Sequence, residues 1–447
     1  MKQYDSYKDS GVEWIGEVPS HWNVSKILFC LQMPITDGPH TTPQLFDEGV
    51  PFVSAEAVSF GNGGIDFEHI RGFVSEEFYK ECCKKYIPHK NDVYMIKSGA
   101  TTGKVSIVDT DKKFTIWSPL AVFRANRSII LPYYIYYFLV SDAFQRQVEF
   151  NWSYGTQQNI GMRTLEKLMI SYPLIEEQKK IVSFLDKKCS EIDNVISAQQ
   201  KRIALLQELK QSVITHAVTK GLNPNVEMKD SGVEWIGEIP ASWNVIPLKR
   251  FGTMNKGLTF TKADIVEKGN PAISYGQVHS KTNDGVCLQN ELIRFVPDIF
   301  IANAEKSIAH QGDFIFADTS EDYDGCGNCV YNDTPQLIFG GYHTVVLQTK
   351  DTDAKFMAYL FRTDYWRYQI RSRVYGVKVY SITQSILSLC SVLLPPKEEQ
   401  RDIVSYLDKR CASIDSSVSK AQHQVELLQE YKQSLITEVV TGKRKIC

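Results

Sequence analysis

The chain has 447 residues, which is enough for two or three domains. Hydrophobic residues make up 43% of the chain and charged residues 23%, a composition that excludes disordered and fibrous proteins. The net charge of −2 argues against a protein that binds nucleic acid through an overall excess of Lys and Arg. It does not argue against local basic patches or against partners that bring positive charge.

Three features of the sequence point to the cytoplasm. No stretch reaches about 18 consecutive apolar residues, so no membrane-spanning helix is predicted. Residues 1–5 lack the apolar core of a secretory signal. The ten cysteines are too sparse for a disulfide scaffold, so we expect a reduced, cytoplasmic protein.

Residues 1–175 are predicted to form a mixed α/β domain, because short apolar runs alternate with Gly, Pro and Asp turns. Residues 93–96 and 105–108 are predicted as strands, and residues 76–84 and 133–148 as helices. Loops held by a rigid scaffold of this kind are where recognition usually takes place.

Three polar segments of this first half are candidates for ligand contact: residues 37–43, 97–104 and 154–159. Gln, Asn, Ser, Thr, Lys and His are side chains that read DNA base edges, and Tyr and Lys also bind phosphates. Each segment taken alone is more often a loop that satisfies its own polar groups. The candidate DNA-binding residues of this half are His40, Thr41, Thr42, Lys97, Ser98, Thr101, Thr102, Lys104, Gln157, Gln158 and Asn159.

Residues 99–105 resemble a nucleotide-binding phosphate loop, but the match is incomplete. Only three residues separate Gly99 from Gly103 where that loop has four, and Val105 replaces the required hydroxyl. The segment is therefore not predicted to bind a nucleoside triphosphate. A Gly- and Thr-rich turn that ends in Lys104 can contact DNA or serve as an ordinary turn, and the sequence leaves both interpretations open.

Residues 176–221 have a helical pattern that begins with two glutamates, which suit the positive end of a helix dipole, and ends near Gly221. Apolar residues recur at alternating spacings of four and three, as in a coiled-coil seam. The apolar seam residues are Leu185, Ile192, Ile196, Ile203, Leu206 and Val213. A helix of this length spans about 60 Å, too long to be buried in one globular domain, so the seam needs a partner.

Residues 222–395 are predicted to form a second α/β domain, with strands at 314–316 and 344–347. Cys326 and Cys329 form a lone CxxC pair without further ligands at zinc spacing, so we predict buried free thiols and no metal site. The candidate DNA-binding residues of this half are Tyr275, Gln277, His279, Lys281, Ser320, Asp322, Tyr323, Tyr342, His343, Lys378 and Tyr380.

Residues 396–447 repeat the long helical pattern, which stops near Gly442. The apolar seam residues of this helix are Leu407, Ile414, Val418, Val425, Leu428 and Leu435. Because matched seams in one chain meet at a high effective concentration, we expect the two helices to pair within the molecule. They run antiparallel if a pseudo-twofold axis relates the halves. The alternatives are packing of each helix on its own domain and dimerisation between chains.

The two halves of the chain repeat each other at a nearly constant offset. Residues 8–17 return as residues 229–238 at an offset of 221, and residues 177–178 return as residues 399–400 at an offset of 222. Between such blocks the halves diverge almost completely. One scaffold therefore carries two sets of loops, which favours recognition of two targets over neutral drift. The repeated block near the N-terminus would follow the second helix in a closed ring, so we expect a pseudo-cyclic arrangement with neighbouring ends.

No catalytic constellation is found in the sequence. Residues 186–188 and 408–410 echo a nuclease-like D-x-K pattern but lack a second acidic motif, so they are interpreted as solvated helix faces. Residues 223–226 fail the Asn-Pro-Pro-Tyr motif of methyltransferases. Residues 325–330 lack the last glycine of a G-x-G-x-x-G cofactor loop.

The repeated blocks resemble the specificity subunit of Type I restriction-modification systems, over essentially the whole chain. The resemblance rests on residues 10–16 with their repeat, on residues 37–43 and 316–323, and on Glu-Glu-Gln at 176–178 and 398–400. It implies two target recognition domains, each of which reads one half of a split DNA site. These domains are residues 1–175 and 222–395, joined by a central spacer helix at 176–221 and a distal spacer helix at 396–447.

The resemblance also implies a chain that is not itself an enzyme. Its expected partners are double-stranded DNA, two modification subunits that bind S-adenosylmethionine and methylate adenine, and a restriction subunit that cleaves DNA. No cofactor or metal is expected in this chain. A coiled-coil adaptor that does not bind DNA, and the specificity subunit of a modification-only system, are the alternatives.

Overall fold

The computed structural model describes residues 3–154, 157–233, 236–350, 354–376 and 378–446. The chain forms two compact units, called here unit 1 (Met1–Gln200 with Gln422–Cys447) and unit 2 (Lys201–Ala421). Each unit takes in one α/β domain and a part of both long helices, whereas the sequence pattern predicts two domains and two separate helices. None of the helices in the described ranges combines the length and hydropathy that crossing a membrane requires.

Within its described residues, unit 1 contains two main sheets, three two-stranded sheets and several helices. Its strands are β1 (Tyr7–Asp9), β2 (Glu17–Pro19), β3 (Asn23–Lys26), β4 (Thr36–Asp37), β5 (Val50–Val53), β6 (Phe73–Val74), β7 (Val93–Ile96), β8 (Val105–Ile107), β9 (Thr115–Ile116), β10 (Leu120–Phe123), β11 (Ser153–Tyr154), β12 (Gln158–Asn159) and β13 (Met169–Tyr172). Its helices are α1 (Ala55–Phe60), α2 (Glu76–Cys83), α3 (Pro132–Val140), α4 (Asp142–Asn151), α5 (Met162–Leu165) and the first part of α6 (Ile175–Lys220), with a 3-10 turn at Ile27–Cys30. The two-stranded sheets are β1-β2, β3-β13 and β11-β12. The order β4-β10-β7-β8 forms an antiparallel sheet and β6-β5-β9 a mixed one. Val53 of β5 and Tyr94 of β7 meet in one buried cluster between these sheets.

Over the part of it that the structure describes, unit 2 has a similar pair of main sheets and three two-stranded sheets. Its strands are β14 (Met228–Asp230), β15 (Glu238–Pro240), β16 (Asn244–Pro247), β17 (Gly252–Lys256), β18 (Asn270–Ile273), β19 (Arg294–Val296), β20 (Ile308–Ala309), β21 (Phe314–Ala317), β22 (Thr319–Ser320), β23 (Cys329–Tyr331), β24 (Ile338–Gly340), β25 (Thr344–Thr349), β26 (Tyr380–Ser381) and β27 (Ser391–Leu394). Its helices are α7 (Leu248–Phe251), α8 (Tyr275–Val278), α9 (Lys355–Leu360), α10 (Asp364–Arg371), α11 (Gln384–Leu389) and the first part of α12 (Lys397–Val440). Its 3-10 turns lie at Lys262–Asp264, Asn290–Leu292, Asp298–Phe300 and Glu305–Ser307. The orders β17-β25-β21-β23 and β19-β18-β24-β20 form the two main sheets, and β14-β15, β16-β27 and β22-β26 form the two-stranded ones.

The antiparallel sheets of the two units share one strand register. Ile96 ends β7 and pairs with Leu120. Ala317 is the counterpart of Ile96 in the sequence repeat, and it likewise ends β21 and pairs with Thr344. The mixed α/β fold with two similar domains is thus confirmed, and the repeat extends from the sequence to the strand pairing. Positions in the two α/β domains can therefore be compared residue by residue.

The segments of α6 and α12 run antiparallel within each unit, as predicted. In unit 1, Asp193 of α6 pairs with Lys432 at 2.7 Å, while Ser171, just before α6, donates a hydrogen bond to the carbonyl of Val440 at the end of α12. In unit 2, Lys210 pairs with Asp415 at 2.7 Å. In the sequence repeat, Asp193 corresponds to Asp415 and Lys210 to Lys432, so the same antiparallel register holds in both units.

The apolar seam is shared between the opposite helix and the adjoining domain. All twelve predicted seam residues are buried or half-buried: Leu185, Ile192, Ile196, Ile203, Leu206, Val213, Leu407, Ile414, Val418, Val425, Leu428 and Leu435. In unit 1, Leu185 belongs to one buried cluster with Leu435 of the opposite helix and with Trp22 and Phe138 of the domain. Both modes of packing considered from the sequence, with the other helix and with the domain, therefore occur together.

The predicted solvated faces at 186–188 and 408–410 lie largely at the surface, with Asp186 exposed and the Asp408 side chain 41% exposed, but their aspartates also hold each domain to its helix. The Tyr137 hydroxyl donates to Asp186 at 2.7 Å, and the hydroxyl of Tyr359, the equivalent tyrosine of the second half, donates to Asp408 at 2.6 Å. Lys355 pairs with Asp408 as well. Burial and then these carboxylates raise the pKa of both tyrosines, so the phenols stay neutral donors.

The Glu-Glu-Gln sequence at the start of each long helix has a structural reason. Gln178 is fully buried, donates to the Ile129 carbonyl at 2.9 Å and accepts from the Leu131 amide at 2.8 Å. Gln400 donates to the Pro395 carbonyl at 2.8 Å. Each glutamine satisfies buried backbone groups where the domain joins its helix.

The single helix predicted at 133–148 is wrong, because Ser141 divides it into α3 and α4. Ser141 has extended backbone angles, its amide donates to carbonyls of the last turn of α3, and its hydroxyl donates to the Phe138 carbonyl at 2.7 Å. The amide of the next residue, Asp142, is satisfied by Thr437 of α12 at 2.9 Å. A serine that bonds locally, together with a tertiary partner, outweighs the continuous apolar pattern.

Both long helices end on a glycine that packs against a repeated tryptophan block. Gly221 has φ +76 and lies beside Trp243, and Gly442 has φ +72 and lies beside Pro19 and Trp22. A Cβ on Gly442 would lie 2.2 Å from a ring carbon of Pro19. The N-terminal block thus follows α12 in space as the second block follows α6 in sequence, so the predicted pseudo-cyclic arrangement is confirmed. The repeated Glu234 and Trp235 lie outside the described residues.

We expect Gly442→Ala to lower the free energy of unfolding more than Gly11→Ala does. Both glycines have φ near +70, but a Cβ on Gly11 meets nothing within 4 Å. The control should therefore cost only backbone strain, about 1–2 kcal/mol, whereas Gly442→Ala adds a clash with the rigid Pro19 ring. Urea unfolding followed by tryptophan fluorescence measures both, and equal losses would contradict the packing of Gly442 on this block.

Candidate nucleic-acid interface

Two polar segments of unit 1 that are far apart in the sequence lie against each other. Gln158 accepts a hydrogen bond from the Gly99 amide at 3.0 Å, and Ser98 forms a β-bridge with Asn159. The Thr102 hydroxyl donates to the Gly99 carbonyl at 2.8 Å and closes the turn. The turn at 97–104 is therefore held by the β11–β12 hairpin, which places two of the predicted segments at one surface.

The third predicted segment reaches the same place through a buried carboxylate. Asp37 is completely buried and is surrounded by three cationic or titratable groups. Its Oδ1 pairs with the ammonium of Lys85, and its Oδ2 lies 3.2 Å from His40 Nε2 and 3.4 Å from Lys97 Nζ. The contacts of Oδ2 are ion pairs without hydrogen-bond alignment. Asp37 therefore organises a small basic cluster at the surface of unit 1.

The candidates of unit 1 differ in how accessible they are. His40, Thr41, Thr42, Lys104, Gln157 and Asn159 are exposed, whereas Lys97, Ser98, Thr101, Thr102 and Gln158 are half-buried. Thr102 and Lys104 also border a cleft of about 1110 Å³ whose other wall includes Asp193 and Lys432 of the helices. Gly155 and Thr156 of the predicted segment 154–159 lie outside the described residues, as does the Tyr154 side chain.

The predicted segments of unit 2 also converge. His279 Nε2 lies 2.8 Å from the Thr319 carbonyl, and Ser320 pairs with Tyr380 across β22 and β26. The rings of Tyr323 and Tyr380 pack edge to face with centroids 5.5 Å apart. Segments near residues 279, 320 and 380 therefore form one surface.

An aromatic group borders this surface of unit 2. The ring of Tyr275 lies 5.7 Å from that of Tyr342 and 5.6 Å from that of His343. His343 has φ +55, a strained angle for a residue other than glycine, and its Nδ1 lies 3.2 Å from Asp318 Oδ1. Strain of this kind concentrates at functional sites, where the surrounding structure holds it in place.

Three of the predicted contacts in unit 2 shape loops. Ser320 is buried and donates to the Asp322 carbonyl at 2.7 Å. Asp322 accepts from the Gly325 amide, and Gln277 accepts from the Ser274 amide in a capping box of α8. Ser320 is therefore not accessible to a ligand in this structure, contrary to its selection from the sequence. The more exposed candidates are Lys281, Asp322, Tyr323, His343 and Lys378, whereas Tyr275, Gln277, His279, Tyr342 and Tyr380 are half-buried.

Within each unit, an equivalent backbone hydrogen bond holds the polar surface together. In unit 1 the Ile160 amide donates to the Lys97 carbonyl at 2.9 Å, and in unit 2 the Ile382 amide donates to the Asp318 carbonyl at 2.7 Å. The offsets of 221 and 222 match the repeat in the sequence. The scaffold therefore forms the candidate surface in the same way in both units, and the side chains on it differ.

Sequence reasoning missed several residues of this interface. Lys85 follows helix α2 without any motif, so only the fold brings it to Asp37. Arg371 donates to the Tyr323 carbonyl at 3.0 Å and lies over its ring, which fixes the 320–325 loop. Asp318 is part of the segment that carries the family resemblance, but its place opposite His343 is not visible in the sequence.

The cysteines and acidic residues form no metal site within the described ranges. No group of three or more His, Cys, Asp or Glu side chains there could hold a metal ion. Cys326 and Cys329 are free and buried, as expected for structural thiols, and burial raises the pKa of both.

Comparison with known proteins gives one family. The family model described as Type I restriction modification DNA specificity domain matches residues 40–205 and 240–426. The MjaVIII specificity subunit of Methanocaldococcus jannaschii is 23% identical over 389 residues, 85% of each chain. The putative MjaX specificity subunit of the same organism is 27% identical over 444 residues, 97% of this chain and 96% of the relative.

Solved structures show the same fold. A chain from a study of complex assembly and conformational transition of the type I R-M system is 16% identical, with a TM-score of 0.69 over 95% of this chain and 98% of its own. The HsdS subunit from Thermoanaerobacter tengcongensis is 16% identical, with a TM-score of 0.50 over 96% and 98% of the two chains. At such identities the structural match speaks for the fold alone.

Proposed function

Since the chain belongs to the Type I restriction-modification DNA specificity family, we propose that it is the non-catalytic subunit that reads a bipartite DNA site, one half with each unit. The observation that carries this proposal is the shared strand register with unlike loops. A duplicated scaffold with two different polar surfaces suits two half-sites of different sequence.

The side chains of both surfaces suit contact with a DNA groove. Unit 1 offers His40 and Lys85 around Asp37, and unit 2 offers Lys281 and Lys378, both of which are exposed. These groups give base-edge and phosphate contacts but little excess charge, since the whole chain carries −2. Modification subunits that bind S-adenosylmethionine would supply the remaining phosphate contacts and the methyl transfer to adenine. The complex would act on cytoplasmic DNA, and a restriction subunit would cleave it.

The paired segments of α6 and α12 suit a rigid spacer. Seam packing and the ion pairs Asp193–Lys432 and Lys210–Asp415 fix the register of the helices. A fixed register sets one distance between half-sites, since the helices cannot slide without breaking both pairs.

The outer faces of these helices carry equivalent apolar positions. Leu205 and Leu209 of α6 are exposed in unit 2, and Leu427 and Tyr431 of α12 are exposed in unit 1. The two pairs occupy matching positions of the sequence repeat, and each spans one helical turn. Two equivalent apolar sites suit two copies of one protein, and we assign them to the two modification subunits.

The variant Leu205→Ser/Leu209→Ser should bind one modification subunit where the wild-type chain binds two. Adding Leu427→Ser and Tyr431→Ser should remove the second, because exposed apolar anchors are lost with little effect on folding. Native mass spectrometry of complexes assembled with the modification subunits of the same system measures the stoichiometry.

Val195→Ser is the matched control for these variants. Val195 is also an exposed apolar residue on α6, but its equivalent in the second half is the polar Ser417, so the apolar character of the position is not repeated. Two subunits should remain bound to this control. Loss of a subunit from the control alone, or retention of both by the fourfold variant, would contradict the assignment.

Replacing residues 250–394 by the same segment of another family member should change one half of the methylated site. The replaced segment carries the loops of unit 2 and leaves unit 1 intact. Sequencing of methylated DNA from cells with each protein reads out the site, and a change in both halves would defeat the modular interpretation. A chain that binds no duplex in gel shifts, with or without modification subunits, would be an adaptor of another kind.

A further inference from the structure

The two units carry opposite charges at two equivalent positions of their recognition surfaces. In unit 1, Ala121 of the inner strand β10 pairs with Asp37 of the edge strand β4. In unit 2, Val345 of the inner strand β25 pairs with Lys256 of the edge strand β17. Because Ala121 and Val345 follow equivalent residues of β10 and β25, Asp37 and Lys256 occupy the same place in the fold. Acid in one unit thus corresponds to base in the other.

The second position is inverted in the opposite sense. Lys97 directly follows β7 and Asp318 directly follows β21, and their carbonyls accept equivalent hydrogen bonds from the residues that follow β12 and β26. Unit 1 therefore has an acid on the edge strand and a base at the end of the central strand, and unit 2 has the reverse. The strand positions are the same in both units, but the acidic and basic residues have changed places.

The surroundings of Asp318 leave it available to a ligand. Its side chain is 23% exposed, and its contact with a described residue, the 3.2 Å approach of His343 Nδ1, uses Oδ1 and leaves Oδ2 open. Asp318, Lys256 and His343 line a cavity of about 700 Å³, whose wall also includes the hydroxyl side chains of Thr319 and Ser381. Lys97, by contrast, is only 12% exposed and faces the buried Asp37.

A carboxylate on a DNA-reading surface needs a chemical reason, because it is repelled by every nearby phosphate. It only accepts hydrogen bonds, so the partner must be a donor on a base edge. In the major groove the amino group of cytosine N4 is the donor that Asp and Glu characteristically bind. In unit 1 the exposed donors are His40 and Lys85 around Asp37, and lysine and histidine suit the acceptor edge of guanine instead.

We propose that Asp318 is a specificity-determining residue, oriented by His343, through which unit 2 selects cytosine at one position of its half-site. This inference rests on the proposed function, since it assumes that the surface of unit 2 reads DNA. It accounts for the inverted polarity: two half-sites of different sequence are read at equivalent points by an acceptor in one unit and by donors in the other.

The test is Asp318→Asn in the full chain assembled with its modification subunits. The amide keeps the size of the side chain but also offers a donor, so discrimination for cytosine over other bases at one position of one half-site should fall by about 5- to 150-fold, the range of one good base contact. The other half-site should not change. Methylation rates on a set of duplexes with single-base substitutions measure the preference.

Asp324→Asn is the matched control, because Asp324 lies shortly after Asp318 in the chain, beyond β22, its side chain is 92% exposed, and it does not line the cavity. It should leave both half-sites unchanged. If Asp318→Asn does not assemble, Asp318→Glu is the second variant. It keeps the carboxylate acceptor on a side chain that is one methylene longer, so the preference for cytosine should weaken at one base pair alone.

The outcomes separate this inference from the proposed function. An unchanged preference in an assembled Asp318→Asn or Asp318→Glu complex, or a change at a base other than cytosine, overturns the role of Asp318 and leaves the proposed function intact. A wild-type complex whose methylation does not depend on DNA sequence overturns the proposed function itself.

Discussion

The structure depends on the pairing of two long helices whose apolar seams cannot be buried in one domain alone. Each unit solves this constraint by packing a part of α6 against a part of α12 and closing the remaining side with its own α/β domain. Isolated helices are marginal in water and gain stability mainly from such tertiary burial. The ion pairs then select one antiparallel register among those that apolar packing alone would tolerate.

The long-period features of the molecule could be predicted from the sequence. The heptad pattern predicted α6 and α12, which the structure bounds at Ile175–Lys220 and Lys397–Val440, and the positive-φ glycines end them as expected. The repeat offset predicted two similar domains. Both patterns extend over dozens of residues, so a few residues that depart from them do not change the prediction.

The details that depend on distant contacts could not be predicted. Ser141 ends a helix because a hydroxyl from another part of the chain satisfies the following amide, and Lys85 reaches Asp37 only through the fold. Ser320 looked like a contact from its chemistry, but the loop turns its hydroxyl inward. The sequence indicated which segments carry polar groups, whereas the strand register decided which of those groups face outward.

The distribution of the chain between the units has a consequence for biosynthesis. The buried cluster of unit 1 joins Ile15 and Trp22 to Val439 and Val440. The ribosome must therefore release nearly the whole polypeptide before this core is complete. Contacts so distant along the chain form slowly, and half-built apolar surfaces are prone to aggregate meanwhile. The core of unit 2 also includes the start of α12, but its residues are consecutive, and its buried cluster joins Ile214 to Cys411, a shorter separation along the chain.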